Sequence, residues 1–285
     1  MRYKQYKINA IIAVLLIFSI FCADSVFAFD RFDELPKEKK ALYLNAGIVS
    51  GIALWGTIFW DYGQSSPKMN SEHWFSKDSP NGGADKLGHM YNGYVLTHML
   101  SNLYYSWGYE TDKATKLGAL SSFAVQGIME IGDAYSSTYG FAYDDFIMNG
   151  IGSYLGYLTY RYPEIRRKFD FRLEYFPSKD VRSGESQDIL TDYNGMKFLV
   201  AAKLDGFDFI HNKYLKYLEL HLGYYARGYS NESGSYPTKS RNMYFGIGLN
   251  ISKILREYSM NKTAKVFNYY QAPYTYIPVD YNLDE

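Results

Sequence analysis

The chain has 285 residues, and its 30 basic residues equal its 30 acidic residues in number. A chain without a basic stripe cannot displace phosphate counterions effectively, so we expect no nucleic acid partner. The single cysteine, Cys22, lies in the N-terminal apolar segment, so the rest of the chain offers no disulfide, thiolate nucleophile or cysteine-ligated metal. The 31 tyrosines suit membrane interfaces as well as sheets and polar-lined cores.

The first residues form a pattern typical of a secretory signal peptide. Three basic residues precede an apolar run over 8–23, and Val26 and Ala28 place small side chains three and one positions before a cut after Ala28. We therefore predict a signal peptide over 1–28 and a mature chain that begins at Phe29. An uncleaved membrane anchor is the alternative, because the run is near the lower limit for a span.

Four charge-poor helices are predicted in the first half of the mature chain. They cover residues 41–60, 87–107, 117–131 and 146–160. The first contains no charged residue and is long enough to cross a bilayer. Small residues four apart, such as Gly152 and Gly156 in the fourth, let a second helix approach closely. The sequence thus predicts a helical domain over 29–168, built as a charge-poor four-helix bundle.

From residue 170 onward the apolar period changes from helical to two. Apolar side chains alternate over 171–175, 198–204, 218–224 and 243–251, which is typical of strands with one buried face. We therefore predict a small antiparallel β-sheet domain over 169–268, lying against the helices or a membrane. The tail over 269–285 is predicted to be extended and irregular. The predicted fold class is α+β.

Two rules about membrane orientation conflict for this chain. If the helices run antiparallel, the side that holds the mature N-terminus and the sheet domain carries nine basic residues near the helix ends, and the other side carries three. A signal peptide places the basic side outside the inner membrane, whereas the positive-inside rule places it in the cytoplasm. A periplasmic bundle that rests on a membrane without crossing the inner one satisfies both rules. We favour that arrangement, with the outer membrane as one candidate surface, over four spans.

Polar residues interrupt the apolar helices at three helix ends. They are Asp85, Lys86 and His89 near the start of helix two, Gln126, Glu130 and Asp133 at the end of helix three, and Asp145 and Asn149 at the start of helix four. In an up-down bundle these three ends lie on the same side, so we expect the side chains to converge. Such groups are costly to bury unless they are paired.

The polar residues have a catalytic and a structural interpretation. In the first, His89 is a general base or metal ligand, Glu130, Asp133 and Asp145 are its carboxylate partners, and four further residues bind a ligand, namely Asp85, Lys86, Gln126 and Asn149. These donors suit Zn, Mn or Fe, but no His-Glu-x-x-His spacing occurs, so metal and cofactor stay open. In the second, the aspartates cap helix N-termini and Lys86 pairs with a carboxylate.

The same residues resemble a known family. Asp85-Lys86-x-x-His89, Glu130-x-x-Asp133 and Asp145-x-x-x-Asn149-x-x-Gly152 look like the pattern of the bacterial domain of unknown function 2279, a predicted periplasmic lipoprotein family. Segments 192–195, 216–220 and 223–224 and the pair at 272–273 look like members with a β-rich tail, so the resemblance would cover most of the mature chain. A more distant similarity is to VanZ-like membrane proteins. Neither family supplies a known reaction.

The resemblance implies an envelope location but not the mode of anchoring. Phe21, directly before Cys22, is not the small residue that a lipoprotein cleavage site needs, so we predict no lipidation. We predict an exported, membrane-associated envelope protein of unknown activity. One alternative is an enzyme that acts on lipid or cell-wall precursors with His89 as base. Another is a scaffold that pairs with an envelope protein through an exposed strand over 243–252.

Overall fold

The computed structural model describes residues 32–185, 189, 191–229 and 234–285. The predicted signal peptide, its cleavage site and Cys22 lie outside these residues. The described chain combines helices in its first half with an antiparallel sheet in its second half, so the predicted α+β class is confirmed.

Four long helices occupy the first half of the chain. They are α1 (Lys37–Phe59), α2 (Ala84–Ser106), α3 (Thr111–Ala134) and α4 (Tyr143–Arg161). Each begins three to six residues before the predicted start, because the first helical turn is polar and lies outside the apolar pattern. Helix α2 ends before Gly108, whose φ of 87° is left-handed. Helix α4 ends at the residue before Tyr162-Pro163, since proline disfavours a helical residue ahead of it.

Helices α2, α3 and α4 pack against one another through small side chains. A Cβ atom on Gly152 would overlap the carbonyl oxygen of Met90, so the backbones of α4 and α2 touch there. Ser122 of α3 donates to the carbonyl of Gly93 at 3.1 Å, and its hydroxyl lies 3.2 Å from that of Ser153. The interior of this three-helix unit is therefore close-packed and lined by hydroxyl groups.

Helix α1 does not complete a four-helix bundle. It lies beside α3, and Gly56 is its one buried residue. Leu42, Leu54 and Trp55 remain 64%, 46% and 45% exposed. The prediction of a four-helix bundle is thus not confirmed, because an apolar helix without a polar counterpart on its outer face has no pattern that directs it into the core. Among the described helices, α1 alone is long and apolar enough to cross a membrane, which is weak evidence for a span.

Short elements connect the helices to the sheet. Strand β1 (Met69–Asn70) pairs in parallel with β2 (Phe141–Ala142), and this pairing fixes the loop after α1 beside the start of α4. Helix α5 (Pro163–Lys168) follows α4 and leads directly into the sheet.

The sheet has five antiparallel strands in chain order. They are β3 (Phe169–Tyr175), β4 (Met196–Lys203), β5 (Leu218–Arg227), β6 (Ser240–Leu249) and β7 (Tyr276–Asn282), with α6 (Lys179–Ser183) after β3 and α7 (Ile251–Glu257) and α8 (Asn261–Val266) between β6 and β7. The first four strands were predicted. The irregular tail was a wrong prediction, since β7 pairs with β6. Pro278 is tolerated there because β7 is an edge strand that bonds on one side only.

The outer edge of β3 contacts the segment just before β7. Leu173 of β3 donates to the carbonyl of Tyr269 and accepts from the amide of Gln271, both at 2.9 Å, in that segment. The outer face of β3 and β4 packs on α2, where Phe171 and Phe198 are buried against Tyr91. The opposite, inner face is enclosed as well, since Arg172 on it is 2% exposed.

The enclosed face is the polar one. Over β5, Glu219 and His221 are fully buried while Leu222 is 53% exposed, and over β6, Phe245 and Ile247 are 51% and 50% exposed. The prediction of one buried face was right about the alternation, but over these strands the apolar face points outward. The buried charges form what we call the sheet cluster: Asp170, Arg172, Lys203 and Glu219.

Candidate functional site

The start of α2 buries a lysine among four carboxylates. The Lys86 ammonium lies 2.6 Å from Glu72, 2.7 Å from Asp145, 2.9 Å from Asp85 and 3.6 Å from Asp144. Its side chain is fully buried. Burial opposes the charge of Lys86, but the carboxylates outweigh burial and raise its pKa. Lys86 therefore stays cationic.

The carboxylates around Lys86 differ in how they hold their charge. Burial raises the pKa of Glu72 to about 7, with a hydrogen bond to Asp85 adding to the effect. Burial also opposes the charge of Asp85, but hydrogen bonding to Glu72 and the charge of Lys86 leave its pKa below its usual range. Asp85 is thus the ionised partner of the pair, and Glu72 shares a proton with it near neutral pH.

His89 lies one turn further along α2 and faces Asp145 and a fifth carboxylate, that of Glu130. Its Nδ1 atom is 3.6 Å from the Glu130 carboxylate and 3.1 Å from the Asn149 side-chain oxygen, and its Nε2 atom is 3.7 Å from Asp145. One donor atom each from His89, Glu130 and Asp145 lies within 4.8 Å of the others. The three side chains come from three different helices, so the bundle end fixes their relative positions.

Glu130 is the one carboxylate described so far that has no contact with the Lys86 ammonium. It is 2% exposed and accepts a hydrogen bond from the Asn149 amide at 3.3 Å. Burial, together with the charges of Asp145 and Asp133, raises the pKa of Glu130 to about 9. Burial also raises the pKa of Asp145, although His89 and Lys86 counteract it. Glu130 therefore keeps its proton at neutral pH unless a cation takes the place of that proton.

We call these seven residues the helix-end cluster: Glu72, Asp85, Lys86, His89, Glu130, Asp144 and Asp145. It holds five carboxylates against one lysine, with His89 as the other basic group. A buried excess of carboxylates is costly unless protons or a cation neutralise it.

The structure brings together most of the residues predicted to converge. Asp85, Lys86, His89, Glu130, Asp145 and Asn149 contact one another as described. Asp133 does not join them, because its carboxylate interacts with the Tyr62 hydroxyl. Gln126 lies one turn inside α3, where its amide donates to the carbonyl of Ser122 at 3.3 Å. The catalytic and binding roles assigned to these residues remain predictions.

The carboxylates at the helix starts do not act as caps. The N-cap residues of α2 and α4 are Gly83 and Ala142, and neither helix has a side-chain cap hydrogen bond. Asp85 and Asp145 bind Lys86. Asp144 lies 3.4 Å from the amide of Trp74, in the loop between α1 and α2. The pairing half of the structural interpretation is thus confirmed, and the capping half is wrong.

Two contributors were not predicted from the sequence. Glu72 lies in the loop between α1 and α2, in a polar stretch with no periodic signal, and only the β1–β2 pairing brings it near Lys86. Tyr193 comes from the sheet half, and its ring lies 3.1 Å from the position of a Cβ atom on Gly88, beside His89. Burial raises the pKa of Tyr193, so the phenol stays protonated. The segment 192–195 was noted only for its resemblance to the family, and nothing in the sequence indicates that Tyr193 contacts α2.

No curated protein and no solved structure matches the chain. One family model does match, and its description is consistent with an exported envelope protein. The matched segment contains the second half of the loop between α1 and α2 together with helices α2 to α4, and it stops before the sheet, so the predicted coverage of most of the mature chain is not confirmed. Residues 71–161, which supply the whole helix-end cluster, match the family described as a predicted periplasmic lipoprotein, the domain of unknown function 2279.

Proposed function

We propose that this protein is an exported, membrane-associated envelope protein whose helix-end cluster binds a divalent transition-metal ion through His89, Glu130 and Asp145. The observation that carries the proposal is the convergence of one imidazole and two carboxylates within 4.8 Å. This donor set suits Zn, Mn or Fe. The negative charge excess of the cluster would be offset by such an ion.

The carboxylates around Lys86 form a second group of three possible metal ligands, and a comparison with that group supports the assignment. Glu72, Asp85 and Asp145 also lie within 4.8 Å of one another, but the Lys86 ammonium already contacts all three. Lys86 thus fills the place of a cation in one half of the cluster. No lysine or arginine of the described chain makes an ion pair with Glu130, so His89 is the one basic partner of this carboxylate among the described residues.

A metal ion held by three protein ligands leaves coordination positions for water. Such an ion lowers the pKa of bound water and so supplies a nucleophile for hydrolysis. Asn149 would orient Glu130 through the 3.3 Å hydrogen bond, and the His89 side chain is 18% exposed, which leaves access from solvent. Hydrolysis of a lipid or cell-wall precursor is the reaction class that this arrangement favours.

The outer surfaces support the membrane association. Leu222, Phe245, Ile247, Ile277 and Val279 share one face of β5, β6 and β7, and each is at least 50% exposed. Contiguous exposed apolar faces mark sites of membrane or protein contact. We place this face and the exposed side of α1 against a bilayer, and a protein partner is the competing occupant.

The metal proposal is tested by titrating chelator-treated protein with Zn²⁺ and Mn²⁺ in a calorimeter. We expect one ion per chain and a stabilisation of about 2.7 kcal/mol at a hundred-fold excess over Kd. Glu130→Gln keeps the shape and the contact to Asn149 but removes the ligand charge, so it should weaken binding at least ten-fold.

Asp133→Asn is the matched control, since Asp133 is a carboxylate on the same helix outside the donor set. This variant should change the affinity for the ion much less than Glu130→Gln does, because Asp133 acts on Glu130 through its charge and not as a ligand. The proposal fails if Glu130→Gln binds with unchanged affinity while its urea unfolding curve shows a folded protein. It also fails if Asp133→Asn loses binding to the same extent.

A further inference from the structure

A basic cavity lies at the end of the bundle opposite the helix-end cluster. It has a volume of about 360 Å³ and opens where α5 approaches β4, the segment after β4, and α7. Its charged lining residues are Arg166, Arg167, Lys203, Arg256 and Asp205. Four basic side chains against one acidic side chain favour an anion in this cavity.

Two of the four basic groups already have close carboxylate partners. Arg167 makes bidentate contacts of 2.9 Å and 3.1 Å with Asp208, and the Lys203 ammonium lies 2.9 Å from Asp170. These two pairs neutralise their own charges. The anion preference therefore depends on the remaining two arginines.

Among the residues that the structure describes, no carboxylate makes a short contact with Arg166 or Arg256. Arg256 approaches Asp205 only to 3.8 Å, which is longer than a hydrogen bond. Arg166 donates to the Tyr269 hydroxyl at 2.6 Å, and it takes part in no ion pair among the described residues. Two guanidinium groups in one cavity thus retain donors for a further anion, and the planar fork of arginine matches phosphate oxygens.

An apolar groove continues from this cavity. It has a volume of about 540 Å³ and shares Arg166 and Asn268 with the basic cavity. Val95 and Met99 of α2 line one side and Val266 lines the other. Met99 is 63% exposed, so the groove presents apolar surface to solvent. A basic cavity joined to an apolar groove is complementary to a molecule with an anionic head and an alkyl chain.

We propose that this composite site binds one anionic phospholipid. Its phosphate would lie between the Arg166 and Arg256 guanidinium groups, and an acyl chain would lie along Val95, Met99 and Val266. The charge complementarity selects an anionic headgroup over a zwitterionic one. This inference does not depend on the metal proposal, because no residue is shared between the two sites.

The test measures binding of short-chain phosphatidylglycerol, below its micelle concentration, to the full processed protein. Short-chain phosphatidylcholine and inorganic phosphate are the comparison ligands. We expect phosphatidylglycerol to bind at least ten-fold more tightly than either. Equal binding of phosphatidylcholine would overturn the proposal, because the headgroup charge would then not contribute to affinity. Equal binding of inorganic phosphate would also overturn it, because the acyl chain would then not contribute.

The variants separate the head and chain contributions. Arg166→Gln combined with Arg256→Gln should weaken phosphatidylglycerol binding at least ten-fold, and Arg256→Gln alone should weaken it about three-fold if the double variant does not fold. Lys39→Gln combined with Lys113→Gln removes the same charge from exposed positions elsewhere and should leave binding unchanged. Met99→Ser should weaken phosphatidylglycerol binding about three-fold without changing the affinity for inorganic phosphate. Unchanged affinity in the arginine variants rejects the site.

Discussion

The protein contains two clusters of buried charge that are compensated very differently. In the sheet cluster, two carboxylates face two cations: Arg172 contacts Glu219 at 2.5 Å and Asp170 at 2.9 Å, and Lys203 contacts Asp170 at 2.9 Å. In the helix-end cluster, five carboxylates face one lysine and His89. A balanced cluster completes a fold by itself, whereas an unbalanced one calls for a proton or a cation. This difference supports a structural role for the first cluster and the proposed binding role for the second.

The largest expected effect comes from removing the central cation of the balanced cluster. Arg172→Met leaves Asp170 and Glu219 buried with an uncompensated charge, which costs roughly 3–5 kcal/mol of unfolding free energy. Added Zn²⁺ or Mn²⁺ should not restore the loss, since Lys203 still occupies Asp170. Urea unfolding with and without the ions measures both effects. Arg167→Met, at an exposed ion pair, should cost far less unfolding free energy than Arg172→Met. Metal rescue of Arg172→Met would erase the distinction between the clusters.

Removing the lysine of the helix-end cluster should lower the unfolding free energy by a similar amount, but a divalent ion should restore part of this loss. Lys86→Met leaves Glu72, Asp85 and Asp145 without their shared ammonium, which costs roughly 3–5 kcal/mol in chelator. Because one oxygen from each of these carboxylates lies within 4.8 Å of the others, a divalent ion should take the place of the ammonium. We expect Mn²⁺ to restore about 2–3 kcal/mol at saturating concentration. If the ion restores nothing, the cluster does not accept cations in the way we infer.

The convergence of the helix-end cluster was predictable, but its full membership was not. Asp85, His89, Glu130 and Asp145 follow from helical spacing and an up-down order, which are properties of the local sequence. Glu72 is placed by a two-residue parallel pairing between distant loops, and no periodic pattern encodes such a pairing. The helix positions could thus be predicted, and the loop contribution required the tertiary structure.

The sheet shows a similar division. The alternation over 218–224 and 243–251 identified the strands correctly, because a period of two reports strand geometry irrespective of which side is buried. It did not report that Glu219 and His221 face inward. That orientation depends on the bridge between β3 and the segment before β7, which joins residues almost a hundred positions apart. Strand β7 itself was missed because Pro278 weakened its pattern.

A third buried polar group extends the comparison, since no carboxylate of the described chain is its partner. His98 of α2 is 1% exposed, and its ring nitrogens lie 2.8 Å from the hydroxyls of Tyr269 and Thr159. Burial, together with the charge of Arg166, lowers the pKa of His98 to about 3. It belongs to a hydrogen-bonded group that links α2, α4 and the segment before β7.

The low pKa of His98 predicts acid sensitivity of a defined sign. The unfolded chain protonates this imidazole below about pH 6.5 whereas the folded chain does not, so its contribution to stability is complete above pH 6.5 and is lost as the pH falls toward 3. At pH 4.5 the loss should reach roughly 2–3 kcal/mol. His98→Gln should reduce the difference in unfolding free energy between pH 7 and pH 4.5 by that amount. An unchanged difference would show that another group causes the acid sensitivity.

The smallest effect on stability is expected from substitutions on the outer face of the sheet. These substitutions should also weaken membrane binding. Phe245 and Ile247 are about half exposed, opposite the enclosed polar face. Replacing both by serine should lower the unfolding free energy by roughly 1–2 kcal/mol, because each side chain is already about half exposed. The same change removes two side chains from the face that we place on the bilayer, so the affinity for phospholipid vesicles should fall roughly ten-fold.

Tyr258→Ser is the matched control for this pair, since Tyr258 is an exposed aromatic residue, at 76%, outside the sheet face. Flotation of the three proteins with vesicles separates the possible roles of the face. If only the double variant dissociates from lipid, the apolar exterior is the membrane contact and the polar interior is its structural counterpart. If all three float equally, the face serves a protein partner, and the sheet's inverted pattern has to be explained by that interface.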